Sequence, residues 1–98
     1  MSTLVGVAWY DPAEWERFRA VAPDAEKLEP THAEWLAFAE ERLASLRAAG
    51  HDVRRVPVKL AALQAWCAAH RRRPDASARA EYVSAQLQRL HEDGILDA

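Results

Sequence analysis

The sequence lacks several features on which common functional sites are built. Cys67 is the only cysteine, so an intrachain disulfide and a zinc site with four cysteine ligands are both excluded. The chain has only three glycines and contains neither a GxGxxG nor a Walker sequence. Its four histidines are scattered, without HxxxH or HExxH spacing. The sequence therefore predicts no metal site and no bound cofactor.

Long apolar runs and a strong excess of charge are also absent. The start of the chain, residues 1–8, lacks the basic residues of a signal peptide and is too short to span a membrane. The formal net charge of −2 gives no general attraction to nucleic acid or anionic lipid. Residues 1–50 carry a net charge of −4 and residues 51–98 a net charge of +2, an asymmetry typical of solvated faces. We therefore expect a cytoplasmic protein that binds no membrane.

Two apolar segments predict β-strands in a single domain spanning residues 1–98. Leu4–Tyr10 is continuously apolar, as in a strand that is covered on both faces. Val53–Val58 predicts a second strand, in which Pro57 cannot donate a hydrogen bond and should face away from its partner. The helical connection between the strands favours a parallel pair with a right-handed crossover.

Capping residues and helical spacing predict four helices. Asp11-Pro12-Ala13-Glu14 starts a short helix, and the capping box from Thr31 to Glu34 starts a second, which Gly50 ends. The apolar stripe of the second helix comprises Trp35, Phe38/Ala39, Leu43 and Leu46. A third helix carries Leu60, Leu63, Trp66/Cys67 and His70, and Asp75 caps a fourth that ends near Gly94. We expect Trp35 and Trp66 to be largely buried. The predicted fold is an α/β domain of order β-α-α-β-α-α, with a small two-stranded parallel sheet packed against helices.

The carboxyl ends of the two strands form a candidate ligand crevice, because open α/β sheets bind ligands there. Tyr10 and Asp11 follow the first strand, Lys59 follows the second, and Trp15 lies on the first helix. The structural interpretation is favoured, in which Asp11 is a helix cap, the tryptophan belongs to the core and Lys59 is solvated. Similarly, Cys67 and His70 share a helix face, but a lone cysteine on an apolar face is more often a core residue.

One basic cluster raises the possibility of nucleic-acid binding. Arg71, Arg72 and Arg73 occupy a turn between two helices, and Arg79 lies on the second of these helices, in an arrangement similar to a helix-turn-helix. The outward face of that helix carries few other basic residues, and the chain is acidic overall. A solvated turn is the favoured interpretation, and binding of nucleic acid is not expected.

Three short segments carry a resemblance to a known family. They are Trp9-Tyr10-Asp11-Pro12-x-x-Trp15, Leu28-Glu29-x-Thr31-x-x-Glu34-Trp35-Leu36 and Ala65-Trp66-Cys67. The pattern resembles a family of short bacterial α/β proteins with no assigned function, over most of the chain. The resemblance implies a bacterial source and no activity, cofactor or site residue.

The functional hypothesis is a small regulatory or protein-interaction module without inferred catalysis. A ligand-binding protein or enzyme that uses Tyr10, Asp11, Trp15 and Lys59, and a nucleic-acid-binding protein, are the alternatives. Two strands are few for a segment as apolar as Leu4–Tyr10, so we expect a homodimer in which a second chain pairs with the free edge of the first strand. Alternatively, a helix or the C-terminal Ile95-Leu96 covers that edge.

Overall fold

Two parallel strands and four α-helices, in the predicted order β-α-α-β-α-α, make up the part of the chain that the computed structural model describes, residues 3–92. The elements are β1 (Leu4–Tyr10), α1 (Trp15–Val21), α2 (His32–Ala48), β2 (Asp52–Val58), α3 (Leu60–Ala69) and α4 (Ala76–Glu92). Short 3-10 helices at Pro12–Glu14 and Ala25–Lys27 precede α1 and α2. The predicted helix end at Gly94 and the segment Ile95-Leu96 lie outside the described residues.

Three helical segments, Pro12–Glu14, α2 and α4, begin where the sequence places capping side chains. The cap hydrogen bonds run from Ala13 N to Asp11 Oδ1 (2.8 Å), from Glu34 N to Thr31 Oγ1 (3.2 Å) and from Ala78 N to Asp75 Oδ1 (2.9 Å). Each satisfies one of the backbone N–H groups that the first turn of a helix leaves without a partner. Gly50 follows α2 with a φ of +95°, the left-handed conformation that favours glycine after a helix.

The pairing of β1 with β2 determines which backbone groups face the sheet and which face outward. Val5 lies opposite Val53 and Tyr10 opposite Val58 in a parallel register. Asp52 N donates to Thr3 O at 2.9 Å, so the odd-numbered residues of β1 direct their N–H and C=O groups at β2. The same alternation places the nitrogen of Pro57 on the outer edge of β2, as predicted.

The two longest helices cover the sheet from opposite sides. α4 packs against both strands. It covers the face toward which a side chain at position 6 would point, since a Cβ added to Gly6 would lie 3.1 Å from Val83 and 3.2 Å from Leu87. α2 packs against β2. Val53 points to the face opposite Val56 and is nevertheless buried, which the contact with α2 explains.

Gly6 is required by this packing rather than by its backbone conformation. We expect Gly6→Ala to lower the free energy of unfolding by about 1–3 kcal/mol, because the added methyl group would compress three side chains of α4 and β2. Gly50→Ala serves as a comparison: nothing lies within 4 Å of its Cβ, so its cost comes from the positive φ alone. Urea denaturation measures both. Suppression of the Gly6→Ala loss by Val83→Ala would confirm the steric cause; an additive effect would contradict it.

The core contains most of the predicted apolar residues, but several of them are not fully buried. Trp35 is buried as expected, whereas Trp66 is only partly buried and packs against the margin of the core. Trp66 is only half-buried because α3 lies at the surface, where the indole stacks on His70 at 4.1 Å between ring centroids. Phe38, which we placed on the buried stripe of α2, is 54% exposed. Leu46 is half-buried, so the buried stripe of α2 narrows to Trp35, Ala39 and Leu43.

Candidate functional site

The predicted crevice residues do come together at the carboxyl ends of the strands. Tyr10, Asp11 and Trp15 line one cavity, and Lys59 lies at its rim with Nζ 3.4 Å from Asp11 Oδ2. The pKa of Asp11 is lowered by the hydrogen bond from Ala13 N and then by Lys59. The spatial grouping that the sequence suggested is therefore present.

That cavity is nearly filled by protein. Its volume is about 10 Å³, roughly the space required by one water molecule. Tyr10 stacks on Phe18 with ring centroids 4.5 Å apart, and Trp15 is 2% exposed. Glu14 Oε1 accepts a hydrogen bond from Leu60 N at 3.2 Å and ties the start of α3 to the start of α1. In this arrangement the crevice residues hold the fold together and leave no room for a ligand larger than water.

His32 joins this cluster, although the sequence placed it only beside a helix cap. Its Nε2 lies 2.7 Å from Tyr10 O, and because a carbonyl oxygen only accepts, Nε2 carries the hydrogen. The ring also lies 5.0 Å from Trp35 and 6.0 Å from Trp15. His32 thus donates a hydrogen bond to the carbonyl oxygen of Tyr10, the last residue of β1.

The basic turn is partly neutralised within the chain, through Arg72. Arg72 donates to Ser77 at 3.1 Å and forms ion pairs with Asp75 and Glu81. Arg71 and Arg73 are exposed, and Arg71 adopts a positive φ of 56°. The turn therefore presents two unburied guanidinium groups rather than a continuous basic surface.

Arg79 is not on that surface, which corrects its placement among the nucleic-acid candidates. It is 8% exposed and donates to both carboxylate oxygens of Asp24, at 2.7 and 2.9 Å, and to Pro74 O at 2.9 Å. Its guanidinium also lies 5.3 Å from the centre of the Phe18 ring. The hydrogen bonds from Arg79 lower the pKa of Asp24. The pair joins the start of α4 to the connection between α1 and α2.

Cys67 has the surroundings of a core residue. It is 2% exposed, and burial raises the pKa of its thiol, which disfavours the reactive thiolate. His70 Nδ1 lies 2.8 Å from Trp66 O, within its own helix. No group of three or more His, Cys, Asp or Glu side chains able to hold a metal ion occurs among residues 3–92.

A larger feature lies along β1 and was not predicted as a cleft. Three adjoining clefts of about 340, 380 and 450 Å³ follow the strand from Tyr10 to Leu4. We call them together the β1 groove. One wall consists of α2 residues, Trp35, Phe38, Ala39, Arg42 and Leu46, and the other mainly of α4 residues, Ala76, Arg79, Ala80, Val83, Ser84, Leu87, Gln88 and His91.

The floor of the β1 groove is the unpaired edge of the sheet. Since odd-numbered residues bond to β2, the N–H and C=O groups of Leu4, Gly6 and Ala8 point into the groove. Within residues 3–92, β2 is the only strand paired with β1. Every residue of β1 is half-buried, whereas the sequence predicted cover on both faces. Among the described residues, β1 is thus only partly covered.

Comparisons with known proteins add no relative from which a site could be transferred. Protein-family models, curated proteins and solved structures yielded no significant match to the chain. The resemblance to short bacterial α/β proteins therefore stays a prediction. Among the described helices, none is both long and apolar enough to cross a membrane.

Proposed function

We propose that this protein is a protein-interaction module that accepts an extended segment along the free edge of β1. The observation that carries the proposal is the β1 groove, where unpaired strand groups lie between two helical walls. Proteins rarely leave a flat apolar strand edge open unless something pairs with it. Addition of a strand would satisfy those groups and place alternate side chains against the two walls.

The apolar surface around the edge supports the same function. Phe38 is 54% exposed on the wall formed by α2, and Leu46, about two turns further along the helix, is half-buried. An exposed aromatic side chain at the rim of the groove adds apolar area that a bound segment would cover. The described surface offers no comparable feature for the alternatives, because the crevice at Asp11 is filled and the basic turn is partly neutralised. A regulatory role in the cytoplasm is part of this proposal.

Selection of peptides on the isolated chain tests the proposal. The protein is biotinylated at its C-terminus and immobilised sparsely, so that each chain is presented alone, and binders are selected from a random 12-residue library. We expect the selected peptides to bind wild type and Ala8→Ser equally. Ala8→Pro should weaken them about tenfold or more, because proline removes an edge N–H group and places its ring there.

The two Ala8 variants differ mainly in that edge group, and their circular dichroism shows whether both remain folded. Chemical shift changes on peptide addition should centre on Leu4, Gly6 and Ala8. Peptides that bind Ala8→Pro as tightly as wild type, or that shift resonances elsewhere, would contradict the proposal.

A further inference from the structure

We propose that the segment received by the β1 groove is β1 of a second copy of this chain, paired antiparallel about a two-fold axis at Gly6. This inference rests on the proposed function and identifies the partner. The resulting dimer contains a continuous four-stranded sheet, with the two copies of α2 on one face and the two copies of α4 on the other.

The backbone of β1 is suited to pairing with itself. In an antiparallel pair, residues directly opposite each other exchange two hydrogen bonds when their groups face the partner strand. With Gly6 opposite Gly6 of the second copy, Leu4 lies opposite Ala8, and all three residues have their N–H and C=O groups on the free edge. About six backbone hydrogen bonds result. His32 already occupies the carbonyl of Tyr10, so pairing ends before that residue.

Charges on α2 are self-complementary about the same axis. Arg42 lines the cleft that also contains Gly6, so the middle of the exposed face of α2 lies beside the central part of β1. Two antiparallel copies of α2 then bring Glu41 of each chain beside Arg42 of the other. Neither residue has an ion-pair partner among those described. Phe38 of one copy approaches Ser45 and Leu46 of the other and loses its exposure to water.

The α4 wall allows the close approach that this arrangement needs. Ala76, Ala80 and Ser84 recur every four residues on the side of α4 that faces the groove, and all three are exposed. Small side chains permit helix axes to approach to about 8 Å. A stable interface buries about 1,200–2,000 Å² in total, which a pair of short strands alone does not reach. The strand edge and both helix faces must therefore contribute together.

Other occupants would leave different signatures. An extended peptide from another protein would use the strand edge but would have no need of the charge pairing on α2. Residues 93–98 of the same chain would cover the edge without changing the mass. The self-matching charges, and the position of Arg42 beside the central part of β1, favour the second copy.

The test measures the mass of the full chain by light scattering during gel filtration, from about 1 to 200 µM. We expect wild type and Ala8→Ser to have twice the chain mass of 11.0 kDa at the upper end of this range. Ala8→Pro and Glu41→Arg should each raise the dimer dissociation constant about tenfold or more. The combined variant Glu41→Arg/Arg42→Glu reverses both charges, restores the pairing and should return to dimer.

The outcomes separate this inference from the proposed function. A wild-type mass of 11.0 kDa throughout rejects the second copy, while peptide binding that depends on Ala8 would still support the interaction module. A monomer in which the Gly6 and Ala8 amides resist hydrogen exchange assigns the edge to the chain's own residues. A dimer that both Ala8→Pro and Glu41→Arg leave intact uses another interface. Failure of the charge reversal to rescue the dimer rejects the α2 contact.

Discussion

Trp35→Ala is expected to remove about half of the protein's folding free energy at 25 °C. Trp35 is 7% exposed, and its ring lies 5.4 Å from Trp9, 5.1 Å from Tyr10 and 5.5 Å from Trp15. It therefore joins α2 to β1 and α1. Truncating a core aromatic residue costs about 3–5 kcal/mol, because burial is lost and a cavity remains. A domain of this size has roughly 5–10 kcal/mol of total stability.

Thermal and urea unfolding, followed by circular dichroism, measure this loss. Trp66→Ala is the matched control, since it removes the same side chain from a half-buried position on α3. We expect a clearly smaller decrease in stability for Trp66→Ala. A melting temperature that Trp35→Ala leaves unchanged, or equal losses for the two variants, would show that Trp35 is not the centre of the aromatic cluster.

The ion pair between Asp24 and Arg79 is expected to be the second large contribution. The two side chains are 20% and 10% exposed, and they are bonded through two N–H groups of the guanidinium. Removing one partner leaves the other charge nearly buried without compensation, which costs about 3–5 kcal/mol. We therefore expect Asp24→Asn and Arg79→Met each to lower the free energy of unfolding by about this amount.

A double-mutant cycle tests whether the two losses share one cause. The combined variant should be less destabilised than the sum of the single variants, because no uncompensated charge remains. Strict additivity would show that the two side chains act independently. Arg89→Met, which changes an exposed arginine on the same helix, is the control and should alter stability by less than about 0.5 kcal/mol.

The pair also predicts a dependence on pH. Because Arg79 lowers the pKa of Asp24 in the folded protein, the ionised pair contributes its stability above the unfolded pKa of about 4. That contribution is lost as the pH falls through the folded pKa. The difference in unfolding free energy between wild type and Asp24→Asn should therefore be largest near neutral pH and shrink below about pH 4. A difference that stays constant with pH would contradict the assignment.

The candidate site shows which features could be predicted from the sequence and which could not. Because Tyr10 and Asp11 follow the first of two parallel strands and Lys59 follows the second, the sequence predicted that all three lie at the carboxyl ends of the strands. The structure places them there. Whether a ligand fits between them depends on the side-chain conformations of Phe18 and Glu14, which line the same cavity and are fixed by packing in the folded protein. Arg79 shows the reverse case: its neighbours in sequence suggested a basic surface, while its partner Asp24 lies 55 residues away.

Local chemistry explains what the sequence determined by itself. The caps at Asp11, Thr31 and Asp75, the turn at Gly50 and the outward position of Pro57 depend on a few neighbouring atoms, so they could be predicted from short segments. The order β-α-α-β-α-α follows from these signals and from apolar spacing. The burial of Arg79, the exposure of Phe38 and the filling of the crevice at Asp11 were decided only by the tertiary structure. Each depends on contacts between side chains that are far apart in the sequence, and such contacts cannot be predicted from short segments.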